Sequence, residues 1–156
     1  MPEVVLVDPQ IPQNTGSIAR TCAATKCVLN IVGQPAFDLS EKAVRRAGLD
    51  YWPWVKLYQF QSWEEYLEAR HPKQLWLFTT HSQRAYYTAK FTEDATLVFG
   101  SETKGLGSQF LSRYPNEQKL KIPIYCQEVR SLNLSNSVSI ALYEALRQLA
   151  DPATTP

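Results

Sequence analysis

Short apolar runs of strand character recur from one end of the chain to the other, and the stretches between them are patterned for helix. No other feature constrains the fold as strongly. The runs are residues 4–7, 28–32, 55–60, 75–80, 96–99 and 120–124. Most are apolar throughout, as strands buried on both faces are, whereas residues 55–60 alternate. Pro123 has no amide donor, which puts the last run at a sheet edge or a chain end. Between the runs, residues 17–25 predict a short helix with Ile18 and Cys22 on one face. Asp38 to Glu41 and Ser62 to Glu65 have capping-box spacing and open helices that end near Gly48 and Arg70. A short helix is expected around 108–114. The final one carries Leu134, Val138, Ala141, Leu142, Ala145 and Leu149 at three- and four-residue steps. Residues 8–16, with Pro9, Pro12 and Gly16, are expected to form a loop. Strands separated by helices predict an α/β fold, a mainly parallel sheet with helices on both faces.

A chain of 156 residues is long enough for one full core, and a single domain over 1–150 with a frayed tail at 151–156 is expected. At a net charge of +1 no strongly basic tail announces a nucleic-acid partner, so any such binding must rest on a local patch. Cys22, Cys27 and Cys126 lack metal-ligand spacing and read as buried thiols of a reducing compartment. The start of the chain has neither the basic residues nor the apolar run of a signal peptide, and no segment reaches membrane-spanning length. A soluble, cytoplasmic protein without metal or membrane is expected.

Ligands of open parallel sheets bind beyond the carboxyl ends of the strands, and three segments with unusual residues fall there. The first holds Asn14, Gly16 and Arg20. Gly16 would turn the backbone into a helix, with Arg20 one turn further on. An arginine at a helix start opposes the macrodipole, so it is either a solvated side chain or one that meets an anion. The second segment follows the run at 96–99 and holds Gly100, Glu102, Lys104, Gly105 and Gly107. Its glycines serve either a close backbone approach to a ligand or the turn itself. The spacing fits neither a P-loop nor a dinucleotide fingerprint. Glu102 would repel a phosphate and suits a cationic or hydroxyl-rich ligand. In the third segment Ser131, Asn133, Ser135, Asn136, Ser137 and Ser139 crowd small polar groups before and into the last helix. They can cap its open amides or leave them to a ligand.

Taken in order, these segments resemble the three motifs of the SPOUT RNA methyltransferases, in the SpoU (TrmH-like) branch. The first motif is met by Asn14, Gly16 and Arg20, and the second by Phe99, Gly100, Glu102 and Gly105. The third is met by Ile122, Pro123, Ser131, Leu132, Asn133, Leu134, Ser135 and Val138. The resemblance spans almost the whole chain. Within the branch, chain length, Arg45 to Tyr51 and Leu132 to Asn136 are similar to the members that methylate the wobble nucleotide of leucine tRNAs. Ser101 departs from them, standing where proline is common, and so does the 125–129 loop, which is one residue longer.

The resemblance implies a C-terminal trefoil knot that holds S-adenosyl-L-methionine bent, with S-adenosyl-L-homocysteine as product. It implies cofactor contacts at Phe78, Thr79, Gly100, Glu102, Gly105, Ile122, Ser131, Leu132 and Asn133. Arg20 would be the catalytic arginine and Asn14 would order its loop. In a homodimer, Tyr143 would reach the partner's site, or else it is a core tyrosine. Guanidinium stays protonated in proteins, so Arg20 is better suited to hold a phosphate and offset a developing alkoxide than to act as a base. For the RNA, a tRNA anticodon stem-loop, the candidate contacts are Lys42, Arg45, Arg46, Lys104 and Arg130, with Tyr51, Trp52 and Trp54 as stacking surfaces. Methylation at another tRNA position or in ribosomal RNA, and a non-catalytic RNA-binding α/β module, are the alternatives.

Overall fold

The structure, a computed structural model, describes residues 1–35, 38–40 and 50–150. The predicted helix closing near Gly48, with Lys42, Arg45 and Arg46 on it, lies outside the described residues, as does the 151–156 tail. Six strands form one sheet: β1 (Glu3–Val7), β2 (Val28–Val32), β3 (Lys56–Phe60), β4 (Gln74–Phe78), β5 (Ala95–Phe99) and β6 (Lys119–Leu120). Their order is β3-β2-β1-β5-β4-β6, and every pairing is parallel. Among the described residues the α-helices are α1 (Pro12–Thr25), α2 (Trp63–Arg70), α3 (Ser108–Leu111) and α4 (Leu134–Leu149).

The alternation of side chains along the strands divides the core in two. Val4 and Leu6 of β1 face α1 and α4, packing with Ile18, Cys22, Val138 and Leu142. Val5 faces the other way, with Trp63, Tyr66 and Val98, under α2. At the amino ends of the strands, Glu3 accepts hydrogen bonds from the Tyr66 hydroxyl and from Arg70, both at 2.7 Å, and so ties α2 to β1. β1 and β5 are neighbours, yet the chain leaves their carboxyl ends toward opposite halves of the sheet. That divergence opens a crevice at the switch point.

The structure departs from the sequence expectations in several places. Helix α1 begins at Pro12, not near residue 17, because proline's preset φ suits the first helical position and its missing amide costs nothing there. Asn14 and Gly16 are therefore helical, and Arg20 lies in the third turn rather than at a helix start, so the macrodipole argument for it does not hold. The last strand stops at Leu120 instead of reaching residue 124, with Pro123 ahead and β6 at the sheet edge. Lys121 still bonds sideways, donating to Arg84 O at 2.8 Å and accepting from Tyr86 N at 2.9 Å. Helix α3 is one turn long, ending at Leu111 rather than near Tyr114. Cys126 is exposed, whereas Cys22 and Cys27 are buried as expected. Burial pushes the Cys22 thiol up to about 12, with Cys27 adding to the shift, so it stays protonated.

Candidate active site

The crevice between β1 and β5 is bridged by one chain of polar side chains. Glu102, in the loop after β5, accepts from the backbone amides of Gln10 at 2.8 Å and Ile11 at 2.9 Å, in the loop after β1. The same carboxylate accepts from Asn14 Nδ2 at 3.2 Å. Asn14, only 7% exposed, accepts in turn from Asn133 Nδ2 at 2.9 Å. The remaining oxygen of Asn133 caps α4, accepting from the amides of Ser135 at 2.9 Å and Asn136 at 3.2 Å.

The direction of this chain is set at both ends. A carboxylate only accepts and a backbone amide only donates, so each asparagine can present its amide nitrogen one way only. The three segments singled out in the sequence thus meet through direct contacts. Helices α1 and α4 are also joined where the Thr21 and Ser139 hydroxyls share a hydrogen bond at 3.3 Å.

Burial raises the Glu102 carboxyl, but the amides of Gln10, Glu102 itself and Ile11, with Asn14, outweigh it and hold the group below the usual carboxylate range. A depressed folded value contributes stability above the unfolded value and loses it as pH falls through the folded one. Glu102→Gln cannot accept at all three donors, so it is expected to cost about 1–3 kcal/mol at neutral pH. That deficit should shrink on acidification below the usual carboxylate range, where wild type loses the same charge. Denaturant melts of both proteins across this range check it; a deficit that does not shrink in acid would contradict the assignment.

The second segment is folded against itself. Ser101 donates to Gly105 O at 3.2 Å and accepts through its carbonyl from Gly105 N at 2.9 Å. The Ser101 hydroxyl also accepts from Lys104 N at 3.2 Å. A proline at 101 would lack the donor for the first bond. Gly100 is required by this turn, because a Cβ there would overlap the Gly105 carbonyl and the Leu106 nitrogen. Gly105 serves differently, through a left-handed φ of +60°.

Beside this turn lies a cleft of about 1590 Å³. Of the residues expected to hold the cofactor, Phe78, Thr79, Gly100, Glu102, Gly105, Ile122, Ser131 and Leu132 line it, as do the expected RNA contacts Lys104 and Arg130. Asn133 is not in the wall; it caps α4. Between residues 122 and 132 the only backbone hydrogen bond among the described residues runs from Val129 N to Cys126 O. Amides and carbonyls along this wall are therefore open to a polar ligand, with Ile122 and Leu132 half-buried beside them. This donor and acceptor set, with apolar flanks, fits an adenine-bearing cofactor.

Arg20 and Tyr143 stand outside the cleft wall. Arg20 is exposed, and its guanidinium lies over the Tyr51 ring, 4.7 Å from the centroid. Tyr143 is 56% exposed on α4, so it is not a core tyrosine. Of the aromatic trio considered for base stacking, Trp54 is 70% exposed, while Trp52 and Tyr51 are half-buried against the core. The sequence reading missed the amides of Gln10 and Ile11 and the tie between Tyr51 and α1. No residue type marks a backbone amide, and Tyr51 carried a signal only as an aromatic near basic residues and as the end of the 45–51 stretch that the resemblance picked out. Among the described residues no group of His, Cys, Asp or Glu could hold a metal ion, and no helix is long and apolar enough to cross a membrane.

The parallel α/β sheet gathers at its switch point the three segments that resemble the SpoU motifs. The chain belongs to the SpoU rRNA Methylase family, which matches residues 1–143. It is 41% identical over 152 residues to the tRNA (cytidine(34)-2'-O)-methyltransferase of Escherichia coli (strain K12), covering 97% of this chain and 96% of that protein. A structure solved for the 2-OH methylation of C/U34 on tRNA superposes with a TM-score of 0.86 at 43% identity, covering 96% of both chains. The SpoU methyltransferase AviRb from Streptomyces viridochromogenes, solved in complex with AdoMet, superposes with a TM-score of 0.78 at 26% identity, over 96% of this chain and 60% of that one.

Proposed function

We propose that this chain transfers a methyl group from S-adenosyl-L-methionine to the ribose 2'-hydroxyl of the wobble nucleotide, cytidine or modified uridine at position 34, of leucine tRNAs. The observation that carries the reading is the Glu102–Asn14–Asn133 chain, which joins all three family motifs in a protein alike along its length to a C34 methyltransferase. The open backbone groups of residues 122–132 and the apolar flanks Ile122 and Leu132 would hold the cofactor, with Phe78, Thr79 and Gly100 opposite. Bound there, S-adenosyl-L-methionine supplies an electrophilic methyl group on a sulfonium. Asn14 and Asn133 hold the two helices that flank the site in register. Arg20 lies six residues beyond Asn14, about 9 Å along the axis of α1, and its fixed positive charge suits a nucleotide phosphate. The same charge would lower the cost of the negative charge that builds on the 2'-oxygen as the methyl group is transferred. Alignment of the ribose oxygen with the methyl group would supply much of the rest of the rate.

Residues 1–150 act as one methyltransferase domain in this reading, soluble in the cytoplasm. The segment after β6 threads a loop of the chain as a deep trefoil knot. Its support is the path from the sheet edge at β6, past the clasp of Lys121 by Arg84 and Tyr86, back to α4 over the middle of the sheet. The active form is a homodimer that buries Ile140, 37% exposed, and Tyr143 on the outer face of α4, with Tyr143 entering the partner's site. Lys104 and Arg130 at the cleft, with Lys42, Arg45 and Arg46, contact the anticodon stem-loop. Methyl incorporation into total tRNA from a strain lacking the enzyme, followed by nucleoside analysis, is expected to yield a 2'-O-methyl pyrimidine at position 34 of leucine tRNAs. Methylation in ribosomal RNA instead would favour the second reading, which the family's description as an rRNA methylase supports. Transfer to neither RNA would defeat both.

A further inference from the structure

The geometry points to Tyr51 as the residue that positions the Arg20 guanidinium for methyl transfer, an inference that rests on the role given to Arg20 above. Tyr51 grips α1 twice. Its hydroxyl donates to the carbonyl of Gly16 at 2.7 Å. Gly16 stands four residues before Arg20, so in the helix this carbonyl also receives the Arg20 amide. The hydroxyl therefore fixes the peptide group that fixes Arg20. One turn on, the ring itself lies beneath the guanidinium at 4.7 Å.

Tyr51 can do this because it is itself held. Its ring is half-buried and packed against the core cluster beneath α1 and α4. Its carbonyl accepts from Trp54 N at 3.1 Å, closing the short 3-10 turn Trp52–Trp54, in which Pro53 sets the backbone. The ring is thus anchored against the core while one face is presented to Arg20.

The choice of partner matters chemically. A carboxylate beside Arg20 would occupy the planar fork of N–H donors that a phosphate needs. An aromatic face holds the guanidinium plane from below and leaves those edge donors free. Among the described residues no carboxylate forms an ion pair with Arg20. The side chain is exposed, and without the ring it would sample many rotamers. The ring face that Arg20 covers is thereby withdrawn from base stacking.

Steady-state methyl transfer to tRNA separates this from a structural role, using Tyr51→Leu, Tyr51→Phe, Arg20→Ala and the double variant Arg20→Ala/Tyr51→Leu. Tyr51→Leu is expected to lower kcat on the order of tenfold to a hundredfold, with the AdoMet KM within about twofold, because only alignment is lost. Tyr51→Phe keeps the ring and loses the Gly16 bond, so its kcat should fall by a few-fold only, about threefold. In the Arg20→Ala background Tyr51→Leu should cost nothing further, as two residues acting as one unit do not add. In nuclear magnetic resonance spectra the Arg20 side-chain protons should carry an upfield ring-current shift that Tyr51→Leu abolishes and Tyr51→Phe keeps. That measurement needs no turnover. Unimpaired Tyr51→Leu beside an impaired Arg20→Ala would overturn the inference alone, as would multiplying losses in the double variant or Arg20 protons without a ring-current shift. Wild-type turnover in Arg20→Ala would instead remove Arg20 from the reaction, and the inference would fall with that reading.

Discussion

Gly100→Ala is expected to unfold the turn at 100–107 and destabilise the whole protein by about 4 kcal/mol or more, the range reserved for severe steric conflict. An added Cβ would overlap the Gly105 carbonyl and the Leu106 nitrogen, and both are backbone, so no rotamer change relieves the clash. Separation of the two strands of the turn would break both bonds between Ser101 and Gly105 and draw Glu102 away from Gln10, Ile11 and Asn14. For a chain of this length the melting temperature should drop by about 10 °C. Calorimetric titration should find no AdoMet binding. Gly105→Ala is the control: a Cβ there meets nothing, and only the left-handed φ of +60° is penalised, by about 1 kcal/mol. Equal losses in the two variants would refute the assignment of Gly100 to close packing.

Arg20→Ala is expected to lower turnover on the order of 10²–10³-fold while leaving AdoMet affinity within about twofold, the signature of a donor used mainly in the transition state. The prediction follows from position. Arg20 is exposed, stands outside the cleft wall and lies over Tyr51, so its removal disturbs neither the core nor the loops that line the cleft. Arg20→Lys keeps the charge but not the planar fork, and should recover only part of the rate. Single-turnover methylation and calorimetry measure the two quantities separately. A large loss of AdoMet affinity in Arg20→Ala would move the residue from the reaction to the cofactor site.

Much of the fold was legible in the chain because its cause is local. Residues 4–7 and 28–32 are strands since apolar runs of that length bury well on both faces, and the observed β1 and β2 contain them. The capping box at Ser62 opens α2 as expected, its hydroxyl accepting from Glu65 N at 3.1 Å. The errors fall where a local signal is double-edged. Pro12 reads as a loop residue but is equally suited to a first helical turn, so residues 12–16 were placed in the loop. The run at 120–124 has strand composition, but an edge position and Pro123 left only Lys119–Leu120 paired within β6.

The motif residues could be found by type and order, since Asn, Gly, Glu and Arg at family spacing are visible without coordinates. Their connection could not. Asn14 meets Glu102 across 88 positions and Asn133 across 119, and no periodicity links residues that far apart. The sequence by itself determined which elements form and which segments hold the motif residues, because backbone propensity and hydrophobic period act over one or two turns. Only the tertiary structure decided that Glu102 is bound by the chain's own amides, that Asn133 caps a helix instead of lining the cleft, and that Tyr51 lies under Arg20. Those facts depend on the parallel sheet order, which brings the ends of β1 and β5 together, and on hydrogen bonds whose direction is set only once donor and acceptor face each other.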